Sequence, residues 1–197
     1  MSDKQKVDTT RRNLVVATSV VGGAASIGAA IPFVASMLPS ERAKAAGAPV
    51  EVDFSRLAPG EVGVFEWRGK PVWVIRRTKA MLDSLKAVTA SLTDPASRSS
   101  IQPEYAKNEL RAIKPEFMVV EGVCTHLGCS PQLKTAEAKA EMGPDWEGGF
   151  YCACHGSKFD FAGRVFRGAP APTNLTVPPH SFLSDSTLRI GDDKKGA

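Results

Sequence analysis

Between Arg12 and Glu41 the chain carries no charged residue. The stretch Leu14 to Leu38 is dominated by Val, Ala, Ile, Leu, Gly and Ser, with a single Pro. A backbone placed in hydrocarbon must satisfy its own hydrogen bonds, so a run of this kind is expected to fold as a helix. At about 1.5 Å per residue it spans roughly 37 Å, enough for a ~30 Å hydrocarbon core with some tilt. A cleaved signal peptide is the competing reading, and Ala43-Lys44-Ala45-Ala46 does resemble a small-residue cleavage site. The apolar region of such a peptide is usually about 7–15 residues, and the longer run here favours a retained anchor.

The flanks of this run set its orientation. Arg11-Arg12 ahead of it resembles a twin-arginine (Tat) export signal. The plainer alternative is positive-inside flanking charge from Lys4, Lys6, Arg11 and Arg12. Both place the N-terminus in the cytoplasm and the following domain outside. The expectation is a single-pass protein of a bacterial inner membrane with a periplasmic domain. The chain divides accordingly into a cytoplasmic tail over 1–13, a transmembrane helix over 14–38, a hinge linker over 39–49, one domain over 50–191 and a disordered tail over 192–197. The linker, PSERAKAAGAP, is polar, rich in Ala and bounded by prolines, and either helix or coil suits it.

The remaining sequence is one ordinary domain's worth, long enough to bury a core without crosslinks. The net charge of +4 is spread without a basic stripe interleaved with aromatics, so nucleic-acid binding finds no support. Val62 to Trp67 and Val72 to Ile75 are rich in β-branched and aromatic residues around Arg68-Gly69-Lys70-Pro71, the pattern of a hairpin. Trp67 and Trp73 read as packing residues. Lys79 to Leu92 has the spacing of an amphipathic helix, and Asp94 to Pro103 reads as a loop. Phe117 to Val120 reads as a buried strand. Lys134 to Gly149 reads as a polar, irregular insertion, and Asp160 to Gly163 as a hairpin turn. Leu175 to Val177 and Thr187 to Ile190 are expected as closing strands. Short strands with Gly and Pro turns give a mainly β, antiparallel domain.

All four cysteines and two of the three histidines fall in two segments, Cys124-Thr-His126-Leu-Gly-Cys129 and Cys152-Ala-Cys154-His155-Gly-Ser157. Each follows an apolar strand. The third histidine, His180 after Pro178-Pro179, reads as an isolated, exposed loop residue. Four cysteines admit two disulfides, a metal site, or one of each. Zinc accepts Cys and His, but its ligand pairs are typically spaced wider than Cys124-x-His126, and two cysteines would be left unexplained. A cupredoxin-type copper site wants a Met that neither segment supplies. A 2Fe–2S cluster needs two ligands per iron, which two Cys and two His provide.

The two segments together closely resemble the paired boxes of Rieske proteins. The anchor, the hinge and Trp67-Arg-Gly-Lys-Pro-Val72 resemble the iron–sulfur subunits of the cytochrome bc complex, ubiquinol–cytochrome c reductase, and the resemblance covers most of the chain. It implies a Rieske-type antiparallel β domain with a cluster-binding subdomain. By position, Cys124 and Cys152 would ligate the inner iron and His126 and His155 the outer one. Cys129 and Cys154 would form a disulfide, which an oxidising compartment permits. Ser157 would donate to a cluster sulfide, the segment Gly168-Ala-Pro-Ala-Pro172 would cover the cluster, and Leu127 would sit at the docking tip. Two positions depart from the pattern: Ala153 stands where Pro is common, with little effect expected, and Phe159 where many relatives have Tyr. That Tyr donates a hydrogen bond to a ligand sulfur, which favours the more negative, reduced cluster. The expected potential is therefore on the lower side of the quinol-oxidising group.

Function follows from the resemblance as an expectation. The cluster would take one electron from ubiquinol while His155 takes a proton, and the head would swing on the 39–49 hinge to a c-type cytochrome. The quinone site would be shared with cytochrome b, within a dimeric complex, and the chain alone would not turn over. The alternatives are the small Rieske subunit of another exported oxidoreductase such as arsenite oxidase, a soluble Rieske ferredoxin, and a zinc module. The ferredoxins lack the anchor and the second Cys of each box, so Cys129 and Cys154 argue against that reading. Metal analysis separates the zinc module.

Overall fold

The computed structural model describes residues 8–192 and divides the chain into two units, one through Ala45 and one from Ala46. The expected tail over 192–197 falls, beyond Asp192, outside the described residues.

The first unit is dominated by helix α1, Thr9–Ser36, in which no residue is buried. Asp8 caps it, its carboxylate accepting from the amides of Thr10 and Arg11. The hydroxyls of Thr18, Ser26 and Ser36 turn back onto carbonyls of the helix itself, at Leu14, Gly22 and Phe33. That is how a polar side chain is satisfied where no water is present. The helix is long and apolar enough to cross a membrane. It stops at Ser36, two residues before the expected end, and a second short helix, α2 (Glu41–Ala46), occupies the linker. Ser40 starts α2 by accepting the Ala43 amide.

Among its described residues the second unit holds nine strands in three antiparallel sheets. They are β1 (Val50–Asp53), β2 (Val62–Trp67), β3 (Lys70–Arg76), β4 (Phe117–Glu121), β5 (Gln132–Lys134), β6 (Gly149–Cys152), β7 (Ser157–Phe159), β8 (His180–Phe182) and β9 (Thr187–Ile190). The strand orders are β1-β9-β8, β2-β3-β4 and β5-β6-β7. The β2–β3 hairpin turns through Arg68 (φ 53°) and Gly69 (φ 70°). Two positive φ values in a two-residue loop match the twist of the strands it joins.

The pair β3–β4 is covered on both faces. Successive residues of a strand point to opposite sides. Val72, Val74, Phe117 and Val119 enter one core, with Val52, Phe54, Trp67, Leu188 and Ile190. Trp73, Ile75, Met118 and Val120 enter a second core, which also contains Cys124, Phe150, Cys152 and Phe159. Both tryptophans are thus packing residues, as expected. The functional loops rest on the second core.

Several expectations need correcting. Helix α3 runs only over Lys79–Ala87, and a separate 3-10 turn covers Thr89–Ser91. Leu175–Val177 is not a strand. Its backbone bonds go to separate partners, Leu175 to Gly163, Thr176 to Glu121 and Val177 to Ile101, so no ladder forms. The 134–149 insertion is folded, with a 3-10 turn at Ala136–Ala138 and a short helix α4 at Lys139–Met142. Trp146 is buried there and donates Nε1–H to the Thr135 carbonyl. His180 is buried, not an exposed loop residue. Its Nδ1 lies 2.8 Å from the Pro178 carbonyl. Its amide donates to the Tyr105 hydroxyl, which in turn donates to its carbonyl.

Gly122, where β4 leaves for the first Cys/His segment, lies against the indole of Trp73, and an added Cβ would overlap that ring. Gly122→Ala is therefore expected to destabilise the domain by about 1–3 kcal/mol, the usual cost of overpacking a core. Thermal unfolding of the purified chain checks this, since each kcal/mol lowers the midpoint by roughly 2–4 °C at this size.

Candidate metal centre

The two Cys/His segments come from different sheets. The first follows β4 of the middle sheet, and the second joins β6 to β7. They use the same backbone device. In each, the carbonyl of the first cysteine accepts the amide of a glycine four residues later, Gly128 from Cys124 and Gly156 from Cys152. Both glycines have positive φ, 85° and 81°. A side chain is strained in that conformation, so each loop needs glycine where it stands. The first loop is further closed by the Cys124 amide donating to the Cys129 carbonyl at 2.7 Å.

A disulfide between Cys129 and Cys154 joins the loops, as the resemblance implied. Cys124 and Cys152 remain as free thiols, both buried. Burial pushes the Cys152 thiol up, and a hydrogen bond with the neighbouring Cys124 adds to the effect. The imidazoles of His126 and His155 lie together, with centroids 4.6 Å apart and planes nearly perpendicular. His155 is exposed and His126 half-buried. Leu127 beside them is 71% exposed. The sulfurs of Cys129, Cys152 and Cys154 also lie within 4.8 Å of one another, but two of these are bonded to each other and have no thiolate to offer.

The residue set fits a 2Fe–2S group. Two adjacent buried thiols pay a desolvation cost on ionising that a cation would remove. Two adjacent imidazoles near solvent supply a second pair of donors. Ser157 adds a further sign. Its buried Oγ accepts the Ala171 amide at 3.1 Å, which leaves its own proton to be given elsewhere. The 168–172 segment is drawn to the loops by that bond and by Thr125, whose hydroxyl donates to the Thr173 carbonyl at 2.7 Å. Phe159 is fully buried in the same core as the two thiols.

The structure thus pairs Cys129 with Cys154, His126 with His155 and Cys124 with Cys152 across the two segments. The residues beneath them were not anticipated. The turn after β7 is built on Asp160, whose buried carboxylate pairs with Arg164 Nε at 2.7 Å. Arg77 and Arg111, also buried, donate to the carbonyls of Phe161 and Ala162 in that turn.

Comparison with known proteins agrees with this site. Residues 98–179, which include both loops, match the family model described as "Rieske [2Fe-2S] domain". Residues 1–40 match "Ubiquitinol-cytochrome C reductase Fe-S subunit TAT signal". The chain is 54% identical over 187 residues to the ubiquinol-cytochrome c reductase iron-sulfur subunit of Allochromatium vinosum, covering 95% of this chain and 90% of that one. It is 40% identical to the protein of the same name from Blastochloris viridis, covering 97% and 98% of the two chains. The relative from Bradyrhizobium diazoefficiens is 43% identical over 92% of this chain and 94% of its own.

The Cys129–Cys154 bond spans 25 residues of sequence. In the chain-entropy model such a crosslink contributes roughly 3–4 kcal/mol. Replacing both cysteines by Ser is expected to lower the urea midpoint of the purified chain by a corresponding amount and to reduce the iron it retains. An unchanged midpoint would show that the loops hold together without the bond.

Proposed function

This chain belongs to the iron–sulfur subunits of ubiquinol–cytochrome c reductase, and we propose that Cys124, His126, Cys152 and His155 hold its 2Fe–2S group while His155 receives a proton from ubiquinol. The observation that carries this is the pairing of donors across the two loops. Each loop contributes one buried thiol and one imidazole, exposed at His155 and half-buried at His126, and the two leftover sulfurs are bonded to each other.

When bound, the group supplies a one-electron acceptor whose charge is shared between a thiolate side and an imidazole side. The chain's residues do the rest. Cys124 and Cys152 fix the inner side against the core, away from water. His126 and His155 present the outer side at the surface beside Leu127, where a quinol can reach it. With one ring nitrogen held by iron, the other nitrogen of His155 would accept a hydrogen bond from the quinol hydroxyl and would take the proton as the electron leaves. An imidazole whose other nitrogen binds a ferric ion gives up its remaining proton more readily, so electron and proton uptake are linked. Ser157, whose hydroxyl proton is not used by the Ala171 bond, would be able to donate it to a sulfur of the group, which would favour the reduced state.

The rest of the assignment follows the family. Lys4, Lys6, Arg11 and Arg12, all ahead of the apolar run, support a cytoplasmic N-terminus and a periplasmic domain. The disulfide suits that compartment. Cytochrome b and a c-type cytochrome are the expected partners, within a dimeric complex that alone turns over. The α2 linker is the segment on which the domain would move between them. The names of the relatives favour this complex over an arsenite oxidase.

Two measurements test the proposal. The purified chain should contain iron and labile sulfide in equal amounts and, reduced with dithionite, give an EPR spectrum whose average g value is low, as mixed imidazole and thiolate ligation requires. It should also co-purify with b- and c-type cytochromes. Zinc in place of iron, or the spectrum of an all-thiolate cluster, would sink it. Phe159→Tyr should shift the reduction potential upward in protein-film voltammetry, because the new hydroxyl can donate to a ligand sulfur. No shift, or a downward one, would mean that the hydroxyl does not reach sulfur in this core.

A further inference from the structure

Four charged side chains lie buried in the core beneath the loops: Arg77, Arg111, Asp160 and Arg164. All converge on the 160–164 turn. The Asp160 carboxylate accepts the amides of Ala162 and Arg164, and Arg164 Nε at 2.7 Å. Arg164 Nη2 continues to the Leu85 carbonyl. Arg77 reaches the turn from the end of β3, its Nη1 3.2 Å from the Phe161 carbonyl. Arg111 reaches it from the 107–116 loop, with Nη1 3.2 Å from the Ala162 carbonyl and Nη2 2.6 Å from that of Leu175.

The charges do not balance. Three guanidiniums face one fully buried carboxylate. Asp94, half-buried, is the other acidic group acting on Arg111. Counting it leaves three positive charges against two negative. Two guanidinium nitrogens, Arg77 Nη2 and Arg111 Nε, have no hydrogen-bond partner among the described residues. Burial lowers both arginines only to about 10, so they stay charged at any physiological pH. Burial pushes Asp160 up, against the pull of Arg164. Were it to take a proton, the positive surplus would only grow.

The 160–164 turn is linked to the site through the chain and through a shared core. The turn continues β7, which begins at Ser157 and follows the His155 loop. Phe159, Phe161 and Ala162 share one buried core with Cys124 and Cys152, so the turn and the two thiols belong to the same apolar cluster. Uncompensated charge acts over longer distances in such a medium than through solvent.

We propose that the buried guanidinium surplus at the 160–164 turn raises the reduction potential of the iron–sulfur group, with Arg77 and Arg111 as positioning residues that tune it without touching it. The inference rests on the ligand reading above. One electron arrives from the quinol, no bond of the chain is made or broken, and the group becomes more negative by one charge. A fixed positive surplus nearby favours that reduced state.

The test is protein-film voltammetry of the detergent-solubilised full chain, after iron and sulfide have been measured in each sample. Arg77→Gln removes the charge and Arg77→Lys retains it, while both lose the planar fork that bonds three carbonyls. The glutamine variant should lower the potential and the lysine variant should restore most of the shift. Asp160→Asn, close in shape, should raise the potential. Lys79→Gln, the same charge change at an exposed residue, should leave it unchanged. Equal shifts in Arg77→Gln and Arg77→Lys would assign the effect to geometry and overturn the proposal, as would no shift in either. If Arg77→Gln fails to fold, Asp160→Asn decides alone, and a potential that falls or stays still refutes it. A wild-type chain without iron would sink the ligand reading and the tuning with it. A loaded chain whose potential ignores these charges would sink the tuning only.

Discussion

The bond between Cys129 and Cys154 is the contact on which the site depends. It links loops that belong to different sheets, so the donors they carry meet only if the middle sheet and the β5-β6-β7 sheet keep a fixed relation. The shared core does part of this, since Trp73 of β3 packs on Phe150 of β6 with centroids 5.1 Å apart. That core packing does not itself join the tips of the two glycine-containing loops to each other. A covalent tie between those tips does so where the ligands need it.

Beneath the loops, the backbone of the 160–164 turn is fixed by side chains. Its carbonyls at Phe161, Ala162 and Gly163 all accept from buried guanidiniums, and two of its amides are taken by Asp160. A turn buried in a core must have its polar groups satisfied from within. Arginine meets that need with several donors in one plane, and brings a charge that cannot be shed. The cost of burying charge is therefore incurred to satisfy backbone, and the electrostatic consequence for the site comes with it.

Much of this was legible in the sequence because it lies in local patterns. The Cys/His segments, the apolar run, the β2–β3 hairpin and the Phe117 strand are each written within a few consecutive residues. What could not be read is long-range. His180 follows two prolines and carries no local sign of burial, yet it is enclosed by Tyr105 and Phe182, one of them 75 residues away in sequence. Arg77, Arg111 and Arg164 look like surface charges in any local window, and only the fold shows that they meet. Leu175 to Val177 has strand composition, but its neighbours offer three separate partners in place of one strand. The 134–149 segment is polar on average, yet it is anchored by the buried Met142 and by the buried indole of Trp146, packed on Phe166.

The arrangement of the donors carries a directional argument. The thiols are the buried pair and the imidazoles the accessible pair, so the two sides of the site differ in dielectric as well as in chemistry. A charge change on the inner side is felt by the core, including the guanidiniums of the 160–164 turn. A charge change on the outer side can be matched by a proton from outside. Of the two proposed ligand types, only imidazole would keep a second titratable nitrogen after binding metal, and it is the more exposed of the two here. Exchanging the positions would bury the proton-accepting groups and expose the thiolates to solvent and oxidant. With the ligand set proposed above, the burial order of four side chains would bring electrons and protons in from the same face, beside the exposed Leu127, with the buried guanidiniums on the core side.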